Sequence, residues 1–358
     1  MMKTKNIITV VTISAFFLSI SLWSFLGNTP EYSESERRVL ASFPEITMEN
    51  IMNGKFAKEF EEYSVDSFPK RDAWRRIKAY VRTGLFLQKD NNDIFTVNRH
   101  ISKLEYPMNP EMADHAIELF TKVNETYLDE NKVYLTVIPD KNRYLAEENG
   151  YLSIDYELFS RYIREGMNFA EYIEIADLLE ADDYYYTDTH WRQDALIDVA
   201  EKIATAMGTD ISQEYYTNRL DSPFHGVYVG QSALSCEPDT ITYLTSEVID
   251  RVLTEGAESV YDMSKANGKD PYEMFLSGNQ PIVTIKDMEN HSEKRLIIFR
   301  DSFGSSIAPF FTKGYAEIIL IDLRYISSDM LGQFVDFENA DVLFLYSTML
   351  LNNSLSMQ

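Results

Sequence analysis

Residues Ile7 to Gly27 run for 21 positions without a charged side chain, and no second run of that length exists in the chain. At about 1.5 Å per residue, a helix of this length matches the ~30 Å hydrocarbon core of a bilayer. A cleaved secretory signal normally has a shorter apolar region, followed by a small-x-small site. This run ends Trp23-Ser24-Phe25-Leu26-Gly27, without such a pair. The sequence therefore predicts an uncleaved, single-pass signal anchor over residues 1–27. Lys3 and Lys5 precede the run, and Glu31, Glu34 and Glu36 come after it. That asymmetry orients the amino terminus inward and puts the bulk of the chain outside the cytoplasm at the cell membrane.

The chain beyond the anchor must fold as soluble protein. Hydrophobic residues make up 45% of the 358 positions, enough for a large core. The lone cysteine, Cys236, excludes an intramolecular disulfide and a thiolate metal site. The formal net charge of -24 repels polyanions, so no nucleic acid is expected as a partner. One basic cluster, Lys70, Arg71, Arg75, Arg76, Lys78 and Arg82, interrupts the acidic field. It reads first as a solvated helix face beside Trp74 and Tyr80, and in the alternative as a helix on an anionic membrane surface.

Residues 28–50, with Pro30 and Pro44, read as a linker and docking segment, and residues 51–358 as the folded domain. Phe56, Phe60 and Tyr63 recur at helical spacing within 51–85, and 109–130 is a second amphipathic stretch. Val133–Ile138 is a short β-branched run ending at Pro139, which predicts a buried strand. Asp194–Met207 is alanine-rich and helical, and 212–280 reads as an irregular insertion. Three apolar strands close the chain, Arg295–Phe299, Glu317–Ile321 and Asp341–Tyr346, with a helix starting at Ser305. Short apolar strands joined by helices predict a three-layer α/β fold around a parallel sheet.

Two segments carry chemistry. One is Tyr184-Tyr-Tyr-Thr-Asp188-Thr-His190-Trp191, and the other is Phe299-Arg300-Asp301-Ser302-Phe303-Gly304-Ser305-Ser306. A serine between a parallel strand and a helix stands where α/β folds place ligands, with free backbone N–H groups for an oxyanion. The same serine also suits a helix cap. A nucleophilic serine needs a base, and an Asp-x-His pair allows the carboxylate to hold Nδ1–H while Nε2 takes the proton. His225 is a rival base, but its nearest preceding carboxylate, Asp221, is four residues back. No His-x-x-x-His spacing exists, so neither metal nor another cofactor is expected.

An Asp-x-His block with a strand-Ser-helix block 112 residues later resembles the circularly permuted branch of the SGNH hydrolase superfamily. That branch contains the DHHW proteins and the alginate O-acetyltransferases. Tyr32–Pro44, Phe68-Pro-Lys-Arg-Asp-Ala-Trp74, Ile138-Pro-Asp-Lys141, Phe275-Leu-Ser-Gly-Asn-Gln-Pro281, Arg300–Ser306 and Ile321-Asp-Leu-Arg-Tyr325 are similar to DHHW segments. Thr189 departs from the four-letter signature at its second position but spares Asp188 and His190. The resemblance implies an SGNH-type fold with Ser302 as nucleophile, His190 as general base and Asp188 as its orienter. It offers Asn279, Lys141, Arg324, Arg300 and Trp191 as oxyanion or substrate contacts. It also implies acyl transfer on a polysaccharide, as an O-acetyltransferase or esterase, beside a membrane-bound O-acyltransferase. The alternative is a catalytically inert, membrane-anchored glycan-binding or assembly protein.

Overall fold

The computed structural model describes residues 2–26, 30–33 and 35–358. The Gly27 end of the apolar run and Glu34 of its acidic flank lie outside the described residues. The chain divides into two compact units, Met1–Asn92 with Val229–Ser235, and Asp93–Tyr228 with Cys236–Gln358.

The first unit holds α1 (Met2–Leu26), in which Thr4–Ser24 is long and apolar enough to cross a membrane. None of that stretch is buried within the protein. The region expected to be helical over 51–85 forms α2 (Lys55–Asp66) and α3 (Arg71–Tyr80). Between them lies Phe68-Pro69, where proline disfavours helical backbone at the preceding residue, and Lys70 turns left-handed at φ 55°. Arg38 and Arg71 converge on the buried carboxylate of Asp66 and tie the chain before α2 to the start of α3.

The second unit is built on seven strands, labelled in chain order: β1 (Lys132–Ile138), β2 (Glu171–Tyr172), β3 (Leu253–Glu255), β4 (Ile282–Lys286), β5 (Arg295–Arg300), β6 (Glu317–Ile321) and β7 (Ala340–Ser347). Their order across the sheet is β3-β4-β6-β5-β7-β1-β2. The run from β6 to β2 is parallel, whereas β3 and β4 join antiparallel at one edge. These two edge strands and an antiparallel ribbon, Tyr216–Phe224 against Asp239–Thr245, flank or fill the stretch read as irregular. The ribbon's register slips between Arg219 and Pro223, where a proline has no N–H to give the ladder.

Strand alternation sorts the core into two layers. Leu296 and Ile298 of β5, with Leu343 and Leu345 of β7, face a layer closed by Val199, Ala200 and Ile203 of α6 (Ile197–Ala206). Ile297, Phe299, Val342 and Phe344 face the other layer, which Ala116 and Phe120 of α4 (Pro110–Tyr127) cover together with Phe159 and Ile163 of α5 (Tyr156–Gly166). Burial on both faces explains why these strands read as continuous apolar runs. The second unit is thus a three-layer α/β fold around a mostly parallel sheet, and the first carries an apolar helix at the amino terminus.

Phe120 is fully buried, with its ring 4.9 Å from those of both Phe344 and Tyr346. Phe120→Ala is expected to destabilise the second unit by about 3–5 kcal/mol through lost burial and a residual cavity. Urea unfolding of the detergent-solubilised chain checks this, as a lower midpoint at unchanged slope.

Candidate active site

All parallel strands present their carboxyl ends at one edge of the sheet, and Ser302 stands there, two residues beyond β5. Asp301, buried beside it, accepts Phe303 N–H at 3.0 Å through one oxygen and Ser347 N–H at 2.9 Å through the other. One carboxylate thereby fixes the turn after β5 to the end of β7. The next helix, α7 (Gly304–Ile307), has Phe303 at its cap without a side-chain cap hydrogen bond. Ser302 is therefore not spent on capping. Its own backbone N–H makes no hydrogen bond among the described residues. Gly304 is required by packing, because a Cβ there would stand 2.6 Å from the Cβ of Arg300.

The Asp188 loop meets this turn. His190 Nε2 lies 2.8 Å from Ser302 Oγ, and His190 Nδ1 lies 2.6 Å from Asp188 Oδ1. With Nδ1 protonated toward the carboxylate, Nε2 is left as the acceptor for the serine proton. Asp188 is buried and accepts two further N–H groups, from His190 at 3.1 Å and from Val227 at 2.8 Å. The Tyr272 ring stacks on the imidazole at 3.8 Å, tilted by 11°, and its hydroxyl reaches Ser306 Oγ at 3.0 Å. Ser302 and His190 both retain solvent access, so a substrate can reach them.

The loop is held from two sides by residues of opposite charge. Lys141 lies just past the carboxyl end of β1, with 1% of its surface exposed. Its ammonium donates to the carbonyls of Tyr185 at 2.8 Å, Tyr186 at 3.0 Å and Asp188 at 2.7 Å. Burial pushes the Lys141 ammonium down to about 7. Asp239 faces the same loop, accepting Tyr186 N–H and Thr187 N–H at 2.8 Å each and the Thr187 hydroxyl at 2.5 Å. Gly226 closes the arrangement, since a Cβ there would lie 2.3 Å from the Thr187 carbonyl carbon. Sequence reasoning missed Asp239, Gly226 and Tyr272, which reach the loop only through tertiary contacts.

The remaining expected contacts fall elsewhere. Lys141 touches the loop backbone and is too deeply buried to meet a substrate. Trp191 is also fully buried, its indole N–H donating to Phe303 O at 3.1 Å and Ser306 Oγ at 2.9 Å. It joins the two motifs from beneath. Arg300 is fully buried against Asp322, 3.5 Å away, and Arg324 binds the same carboxylate through two nitrogens at 2.9 and 2.6 Å. Lys141, Trp191 and Arg300 are thus buried among internal partners, whereas Arg324 keeps 20% of its side chain exposed while held on Asp322. Asn279 is exposed, two residues before Pro281, whose carbonyl accepts Asp322 N–H at the same sheet edge as Ser302. Leu276, Ser277 and Gly278 before it are all left-handed, at φ 54°, 57° and 79°. His225 is exposed, and His190 occupies the hydrogen-bonding position on Ser302 Oγ.

No family model matches the chain, and no curated protein matches it in sequence. Solved structures do. A DHHW family protein from Eubacterium siraeum superposes with a TM-score of 0.58 at 20% identity, covering 75% of this chain and 95% of its own. Bacillus cereus PatB1 bearing a sulfonyl adduct superposes with a TM-score of 0.58 at 16% identity, covering 72% of this chain and 95% of its own. PatB1 described without an adduct gives 0.56 at 14% identity over 72% of this chain and 96% of its own. The chain therefore shares its fold with a DHHW family protein and with PatB1, the branch that its motifs resemble.

Proposed function

We propose that this protein is a serine-dependent acyl-transfer enzyme of the cell envelope, acting on O-acyl groups of a polysaccharide outside the cytoplasm. The observation that carries the reading is the continuous hydrogen-bond chain Ser302 Oγ–His190 Nε2 and His190 Nδ1–Asp188 Oδ1, at 2.8 and 2.6 Å. In this mechanism Ser302 Oγ attacks the acyl carbonyl while His190 Nε2 takes its proton. Asp188 holds the ring and stabilises the imidazolium that forms. The free N–H of Ser302 donates to the oxyanion of the tetrahedral intermediate. Collapse expels the donor's oxygen, which receives the proton from His190, and leaves an acyl ester on Ser302. A sugar hydroxyl or water, deprotonated by His190, then attacks that ester and regenerates the serine. The apolar α1 keeps the enzyme at the membrane, where a membrane-bound O-acyltransferase of the kind implied by the family resemblance supplies the acyl group.

Treatment of the full-length chain with a sulfonyl fluoride tests the reading, and PatB1, which shares the fold, has been described with a sulfonyl adduct. A single adduct on Ser302 is expected, absent in Ser302→Ala and in His190→Ala. Both substitutions are expected to lower hydrolysis of p-nitrophenyl acetate by roughly 10⁴-fold or more. A folded chain that takes no label at Ser302 favours an inert, glycan-binding protein instead.

Lys141→Met is expected to lower kcat by about tenfold or more with KM little changed, because it frees the loop that aims the base without touching substrate. The same variant tests the buried charge. With Lys141 at about 7 in the folded chain and near 10.4 when unfolded, the unfolded state binds the extra proton between those values. The Lys141 contribution to stability therefore rises with pH across that window. The difference in unfolding free energy between the native chain and Lys141→Met, measured through that window, should shift in favour of the native chain as pH rises.

A further inference from the structure

The first unit carries a surface that the proposed chemistry does not use. Ser24, at the end of the membrane-crossing stretch of α1, donates to Ser67 O at 3.3 Å. Its hydroxyl also lies 3.3 Å from that of Ser67. Phe68, Pro69 and Lys70, which immediately precede α3, line a cavity shared with Trp23. The amino-terminal end of α3 is thereby held within one hydrogen bond of the point where the chain leaves the bilayer core.

The face of α3 that remains free is amphipathic in the manner of an interfacial helix. Ala79 and Arg75 face inward, Ala79 fully buried and Arg75 donating to Gly230 O at 2.8 Å within the same unit. On the outer face Trp74, Ile77 and Tyr80 are each more than half exposed, at 51%, 52% and 57%. Leu85, Phe86 and Leu87 continue the apolar surface beyond the helix. A run of large apolar side chains this open to water, outside the membrane-crossing stretch, marks an interaction surface. Lys70 and Arg76 stand exposed among them, with no carboxylate partner among the described residues. By contrast, Arg71 and Arg75 are committed to Glu36. In a chain of net charge -24, two uncommitted cations beside exposed aromatic rings at the membrane exit are matched to anionic lipid headgroups.

We propose that α3 and residues 85–87 lie in the interface of an anionic membrane, with Trp74, Ile77 and Tyr80 at the headgroup–acyl boundary and Lys70 and Arg76 on the lipid phosphates. The first unit is then a platform seated on the bilayer as well as tethered to it. The proposal is independent of the chemistry at Ser302.

Tryptophan quenching in the full-length chain tests it. The chain has three tryptophans, Trp23, Trp74 and Trp191. Trp23→Phe removes the one inside the membrane, and Trp191, wholly buried, stays out of reach of lipid and reports the fold in every variant. This variant is reconstituted into vesicles of phosphatidylcholine with phosphatidylglycerol, whose acyl chains are brominated near the glycerol. The expected result is strong quenching by brominated lipid, lost when Trp74→Phe is added, with Trp74 shielded from aqueous acrylamide. Lys70→Gln and Arg76→Gln should each lower the ratio of lipid-seated to free states about fivefold. Quenching of Trp74 by acrylamide without quenching by brominated lipid overturns the proposal. Equal lipid quenching in vesicles of phosphatidylcholine alone overturns it too, because the charge match would then contribute nothing.

Discussion

The Lys141 ammonium, buried just beyond β1 and ringed by the carbonyls of Tyr185, Tyr186 and Asp188, sets the geometry on which the candidate site depends. An ammonium has three donors and no acceptor, and here three carbonyls receive them. Moving the loop would leave the buried amine without acceptors for its N–H groups, which costs more than a surface contact returns. Asp239 supplies the complement by accepting three donors from Tyr186 and Thr187. Held on both sides, the loop presents Asp188 and His190 to Ser302 with little freedom left to lose in a transition state. Asp301 performs the matching task on the serine side by tying the turn after β5 to the end of β7.

Much of the fold was readable from residue pattern. β1, β5, β6 and β7 are buried on both faces, so their β-branched runs stand out without any alternation. The ribbon over 216–245 did not stand out, because Thr217-Asn-Arg-Leu-Asp221 is polar and only Leu220 and Phe224 of that strand are buried. The break between α2 and α3 was signalled by Pro69, yet the helical spacing of Phe56, Phe60 and Tyr63, all within α2, was extended across it.

The site divides the same way. Asp188, His190 and Ser302 are chemically distinctive and lie in short motifs, so type and spacing single them out. Lys141 was misread as a substrate contact because a lysine beside a motif ordinarily reads as exposed. Its position three residues beyond a strand buried from Val133 to Ile138 was the available signal. Asp239 and Gly226 carry no local signature, since each acts on the Asp188 loop only when the chain closes. The apolar helix α1 and the exposed aromatic face belong to the first unit, and every residue of the candidate site belongs to the second.

The central claim is that Ser302 carries an acyl group during turnover. Rapid acid quench of the full-length chain during p-nitrophenyl acetate hydrolysis, with peptide mass mapping of the quenched protein, measures that directly. The account predicts one acetyl group on the peptide containing Ser302, formed within the first turnover and absent from Ser302→Ala. Hydrolysis that continues at the native rate in Ser302→Ala, with no acetyl on that peptide in the native chain, would contradict it.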